Sequence, residues 1–474
     1  MSGSRILNTA SRRPFLSLGL FLLFSGCPEF KPQTLPPTSP LSFKELKQTV
    51  SRIRKLPFQY EVSLESKGTN EIHAPLDKSS LQEPRNQKPP EVARVYARLG
   101  LLPEAVDLPR AVTEFRLFQL GARYDSRSKK IIVAQKPRKP GYTFWNSAQG
   151  SENEKGEIGK RFLLTQALTH ALQQQHFRWE EKLRKIDAED QRLAFRALLQ
   201  GDAALVGLTH LIGDPKKNQQ KILDGIKGLA LLVGRMEEEI PQISELLRHK
   251  VLFEYLYGSQ FVIWAYSLKG WEGVNRLYSD PPISTEQILH PEKYFVRRED
   301  PVLVIPWSLI RRFGNSGRKI FDESLGEFLI RALLSRNLSN EQAAQAAAGW
   351  AGDHLLAFQQ AKEVVLAWTT VWDNPEEALE FYEAYRQALE TRYGFSLVPT
   401  AAGGDTLIAP MENTTSLLLQ IRGNLVFFLD GVAWPRSAQI AQDLWEELEI
   451  ESKPQPIPFD LVQRPVDQAA PARK

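Results

Sequence analysis

One thiol stands in the 474 residues, Cys27, so no disulfide can form within the chain. Whatever it folds into must be held by packing alone. The means are present. Hydrophobic residues make up 42% of the chain, and a sequence this long can bury the core of one large domain or of two. The cysteine also closes an unusual N-terminus. Arg5, Arg12 and Arg13 make a basic start, and the apolar run FLSLGLFLLF, Phe15 to Phe24, follows at once. That is the pattern of a secretory signal, well short of the roughly 20 residues that a membrane-spanning helix needs.

LFSGC, Leu23 to Cys27, resembles the lipobox of bacterial lipoproteins. Ser25 and Gly26 suit a signal peptidase pocket that admits only small side chains. The resemblance implies that residues 1–26 are a signal peptide, cut before Cys27, and that the Cys27 sulfur carries covalent lipid. A plain signal peptide with a stray cysteine is the alternative. Several acyl chains on one residue would anchor the protein to a membrane stably. Pro28, where an Asp would favour inner-membrane retention, points to the outer membrane in a Gram-negative host. The leader takes three arginines and no acid with it, so the formal charge of +4 shrinks on cleavage. No basic surface for nucleic acid is expected.

The tether is residues 27–41, rich in proline (PEFKPQTLPPTSPL). Residues 42–90 mix a helix, SFKELKQTVSRIRKL, a strand, FQYEVSLES, and a polar loop. Residues 91–395 read as a mainly helical domain interrupted early by a β-hairpin, FRLFQLGARYD and KKIIVAQ, with one long helical stretch from about 160 to 392. Residues 396–450 hold strands, TLIAPM, TSLLLQI and NLVFFLDGV with a Gly423–Asn424 turn, and a last helix, Ala438 to Leu448. Residues 451–474 read as a disordered tail. The expected class is mostly α, within α+β, with that early hairpin and a short C-terminal β segment.

Residues 160–180 place Leu164, Leu168, Ala171 and Leu172 on one side of a helix. Gln166 and His170, four apart, share a face. In HExxH metallopeptidases that spacing lets two imidazoles grip one zinc while the intervening Glu activates its water. Here the same positions read Gln166, Ala167 and His170. Alone, QALTH is an ordinary stretch of helix.

The rest of the chain changes the weighing. ALTHALQQQHF resembles the HELxHALQDQHF segment of a family of secreted, lipoprotein-type zincin-like proteins. LGARYDSRSKKIIV, ALLQGDAALV, the block from Tyr255 to Phe295 containing STEQILHPEKYF, LGEFLIRALL, AAAGWAGDHL and WTTVWDNPEEALEF resemble further segments of it, in order, over roughly residues 90–390. The resemblance implies a zincin-like helical core. It also implies what has gone: Gln166 stands at the first histidine position, Ala167 at the general base, and Gln200 at the third-ligand glutamate, leaving only His170. The implied protein is a pseudo-peptidase, with no catalytic residues, no metal and zinc lost, that acts as a binding or scaffold protein. An active hydrolase using noncognate ligands, and a purely structural envelope protein, are the rivals. His176, six residues after His170, lies on the far side of the helix and cannot share a metal with it.

Four more residues are candidates for a cleft. Asp202 could hydrogen-bond His170 or serve helix packing. STEQ, Ser284 to Gln287, is a capping-box pattern before Pro291, and Glu286 and His290, four apart, either line a cleft for a peptide or glycan or belong to a structural helix with an ion-paired histidine. GWAGDH, Gly349 to His354, suggests a tight turn or close backbone approach, with His354 beside it. The tryptophans from Trp264 to Trp372 read as mostly core. The expected partners are the membrane and an envelope protein, peptide or glycan.

Overall fold

The structure, a computed structural model, describes residues 42–67, 88–103, 122–134, 154–234, 245–315, 317–360, 363–400, 403–410 and 416–452. Cys27, the expected signal peptide and tether, most of the loop expected after residue 67, and most of the expected tail lie outside these. Residues 40–474 form one unit.

Helix α1, Phe43–Arg54, starts at a complete capping box: the Ser42 side chain accepts from the Glu45 amide, and Glu45 reaches back to Ser42. Strands β1 (Ser63–Lys67), β2 (Ala122–Asp125) and β3 (Lys130–Ala134) make a small sheet in the order β1-β3-β2. The expected hairpin is β2–β3, and β1 adds parallel to its other edge. Three long helices follow: α2 (Glu154–Phe177), α3 (Glu189–Ile212) and, after a π-helical turn at Phe253–Tyr257, α4 (Gly258–Leu277). Helices α3 and α4 cross at Gly201 and Gly258. A Cβ on Gly201 would lie 2.2 Å from the Gly258 carbonyl oxygen, and one on Gly258 2.2 Å from that of Ala197, so any larger residue would force the helices apart.

Downstream come the short helix α5 (Thr285–Leu289), β4 (Leu303–Pro306), α6 (Trp307–Gly314), β5 (Arg318–Glu323), α7 (Gly326–Leu334), β6 (Trp350–Gln360), β7 (Glu363–Trp372) and α8 (Pro375–Tyr393). The chain ends its described part with β8 (Val398–Thr400), β9 (Gly403–Pro410), β10 (Ser416–Arg422), β11 (Leu425–Val432), α9 (Arg436–Glu447) and β12 (Leu448–Glu451), which pairs with β4. Seven strands form one antiparallel sheet in the order β5-β6-β7-β11-β10-β9-β8.

That sheet is the chief departure from expectation. β5, β6 and β7 fall inside the stretch from 160 to 392 that reads as helical, and the sheet joins residues on both sides of 395. The reason is burial on two faces. On β7, Val364, Leu366, Trp368 and Trp372 face the main core with α8, while Val365 and Ala367 face a second core with Leu309 and Phe313 of α6 and Ile440 and Leu444 of α9. A strand covered on both sides has no polar alternation, so its sequence is a plain apolar run that period alone cannot separate from a buried helix. The class is α+β, with a larger β share than the sequence suggests.

Candidate functional site

Helices α2 and α3 pack side by side and bring the expected face together. Gln166 and Ala167 are buried on α2, and His170 follows one turn later. Gln200, on α3, lies near enough to the His170 ring to pull its pKa upward. Its Nδ1 also pairs with Gln173 Oε1 at 2.8 Å. Gln166 Oε1 accepts from the Tyr255 hydroxyl at 3.4 Å, while its Nε2 is buried without a hydrogen-bond partner. The Trp179 indole donates to the His170 carbonyl at 3.2 Å and lies tilted 6.4 Å from its ring. Burial holds the His170 imidazole below its ordinary pKa, against the pull of Gln173, Asp202 and Gln200. The ring is therefore a neutral group among neutral amides.

Asp202 lies beneath this face, fully buried. It reaches His170 only through a relay: Gln173 Nε2 donates to Asp202 Oδ2 at 3.0 Å while Gln173 Oε1 meets the ring. Its main partner is Arg54, the last residue of α1, whose Nε and Nη2 donate to the two carboxylate oxygens at 2.9 and 3.1 Å. Tyr278 adds a fourth donor at 2.7 Å. The Arg54 guanidinium also lies 4.9 Å from the Trp271 ring centroid, and Tyr278 stacks on Phe177 at 4.1 Å. Both oxygens are engaged, Oδ1 by one donor and Oδ2 by three, so this carboxylate is a structural anchor. His176 turns away, to the Pro57 carbonyl at 2.7 Å.

The other candidates do not join His170. Ser284 caps α5, accepting from the Gln287 amide at 3.2 Å, but the reciprocal arm goes to Ile283 N at 2.9 Å, so the box is displaced by one residue. Glu286 and His290 have separate partners. Lys293 Nζ is 2.6 Å from Glu286 and 2.7 Å from Asp373. His290 Nε2 is 2.8 Å from Glu327 Oε1, whose other oxygen is buried with no hydrogen-bond partner. Burial pushes the Glu286 carboxyl up to about 8 despite Lys293. Burial works to lower His290 too, but Glu327 and Glu292 overcome it and hold the imidazole up at about 10. Next to them Asp190, at the start of α3, accepts from the Thr285 amide and hydroxyl, and burial raises it to about 8. Gly326 sits hard against it: a Cβ there would lie 1.8 Å from Asp190 Oδ1, and its φ of +76° suits only glycine comfortably.

His354 is in β6, not at a helix interruption. Its ring bridges the Val304 carbonyl and Asp322, each at 2.7 Å, and burial, opposed and outweighed by these acceptors, leaves its pKa raised. The neighbouring glycine does mark a close approach, since a Cβ on Gly352 would lie 2.7 Å from the Val302 carbonyl oxygen. Asp353 takes five neutral donors: the Ser324 hydroxyl, the Leu325 and Gly326 amides, and the Trp350 and Trp368 indoles.

Sequence reasoning passes over Arg54, Gln173 and Glu327. Arg54 looks like one more cation at a helix end, and its partner is 148 residues away. Glu327 carried a signal, a lone acid in the apolar run LGEFLIRALL. Among the described residues no three His, Cys, Asp or Glu side chains converge as a metal site, and no helix is long and apolar enough to cross a membrane.

Compared with known proteins, residues 311–437 match the model of a family described as a domain of unknown function, DUF8575. The match begins in α6, ends at the start of α9, and takes in the whole seven-stranded sheet. It leaves out the α2–α3 face. No curated protein and no solved structure matches the chain.

Proposed function

We propose that this chain is an exported, lipid-anchored cell-envelope protein whose zincin-like helical core has lost its metal chemistry and serves as a binding or scaffold protein. One observation carries the reading. Gln166 and His170, one turn apart on α2, and Gln200, near the His170 ring, supply one imidazole and two amides. Zinc is held by imidazole, thiolate or carboxylate, and a catalytic site takes three such donors from the protein. This set does not fit the ion. Ala167 is a methyl where a base would stand, and Asp202 is committed to Arg54, Gln173 and Tyr278. Amides have an advantage once the metal is gone, because a buried carboxylate without its cation is costly. The lipid on Cys27, the outer-membrane site and an envelope protein, peptide or glycan as partner complete the proposal.

Metal quantification tests it. Protein purified from zinc-supplemented medium is expected to carry far less than one equivalent. Stoichiometric zinc that disappears in His170→Ala would overturn the reading. The double variant Gln166→His/Gln200→Glu restores the missing donors and is expected to bind one zinc. If it does not, the face lacks zincin geometry.

A further inference from the structure

A concavity of about 420 Å3 lies between α9 and the outer face of β8–β10, well away from the α2–α3 face. Its walls combine two indoles with carboxamides and hydroxyls. Trp434 is 45% exposed, a large apolar surface left at the rim. Trp445 is fixed at the base: its Nε1 donates to Gln420 Oε1 at 2.7 Å, and the Arg422 guanidinium lies 5.0 Å from its ring centroid. Gln442 lines the helix side. The hydroxyl oxygen of Thr400, also in the lining, is buried without a hydrogen-bond partner.

We propose that this concavity, framed by Trp434, Trp445, Gln420 and Gln442, binds a short neutral saccharide. A sugar ring has one face of C–H bonds and a rim of hydroxyls. Indoles cover the first, and groups that both donate and accept satisfy the second. Carboxamides and threonine hydroxyls do both. Charge argues for a neutral ligand, because Arg422 and Glu446 both line the site and offset each other. The volume falls in the usual range for small-molecule sites, about 300–1,000 Å3. Purely apolar ligands would strand the lining amides, and anions would meet Glu446.

The test uses the intact protein with malto-, cello- and chito-oligosaccharides as probes, and oligoglucuronate as a charged control. Binding is read by tryptophan fluorescence and by ligand-observed NMR. At least one neutral series is expected to bind below about 10 mM, a modest affinity in keeping with an open site. Trp434→Ala, whose exposed side chain supports little of the fold, is expected to weaken binding about tenfold or more with an unchanged denaturation midpoint. Gln442→Ala is expected to weaken it less. The proposal is overturned if none of the neutral probes binds, if only the charged control binds, or if binding survives both substitutions.

Discussion

Helix α3 serves two buried polar regions that handle charge in opposite ways. Asp190, at its start, sits in a junction where carboxylates crowd: Glu286 and Glu327 lie nearby, with His290 and Lys293 as their cations. Ten residues on, about 15 Å along the helix, Gln200 and Asp202 face a region of amides with one carboxylate and one guanidinium in matched contact. In the first region burial, helped by neighbouring carboxylates, pushes Asp190 and Glu286 up to about 8, so protons balance the excess acid. The second is balanced by composition, and its histidine is held down in the neutral form. Polar burial is therefore tolerable by either route, but the two routes make the fold answer to pH in opposite senses.

The largest expected effect attacks the matched region. Arg54→Met leaves Asp202 buried with no cation, a loss of about 3–5 kcal/mol. Adding Asp202→Asn should recover a good part of it, as read from urea midpoints. If Arg54→Met leaves the midpoint where it was, the contrast between the regions is false.

The next effect belongs to the acid junction. Asp190 and Glu286 titrate near 8 folded and near 4 unfolded, so between those values the native state holds protons that the unfolded chain has released. Stability should then fall as pH rises from about 5 to 8. Asp190→Asn removes one such group and should flatten the decline. An unchanged slope in that variant would remove Asp190 from the account.

Smaller, and opposite in sign between regions, are the two histidines. His290 gains from Glu327 below pH 6.5 and loses that gain as pH rises towards 10, so His290→Ala should cost about 1 kcal/mol at pH 6 and little at pH 11. His170 is disfavoured when charged, so it should erode stability as pH falls below 6.5. Histidine ring signals by NMR separate them directly: at pH 8 His290 should still be protonated, and at pH 6.5 His170 should already be mostly neutral. The reverse order would undo the comparison.

Local signals were legible in the sequence where one short segment decides the outcome. The first helix, the β2–β3 hairpin, the Gly423–Asn424 turn and the last helix all come from neighbouring residues. Helical spacing singles out Gln166 with His170, and Gln200 is named only through the family resemblance. What stayed hidden depends on distant partners. β6 and β7 are apolar on both sides because α8 covers one face of the sheet and α6 and α9 the other, and no window of sequence contains that fact. Arg54 and Asp202, or His290 and Glu327, find each other only once helices cross.

The strand order β5-β6-β7-β11 carries a consequence for synthesis. β7 is among the most apolar strands in the molecule, and its inner neighbour is β11, which emerges only after α8 and three further strands have been made. Until residue 432 has been added, a nascent chain presents β7 with one open edge and no cap from α9. An exposed edge of that kind invites pairing with other chains. A protein cut short before α9 would therefore clump rather than persist as a smaller folded product, and the last fifth of the chain acts as the latch on what precedes it.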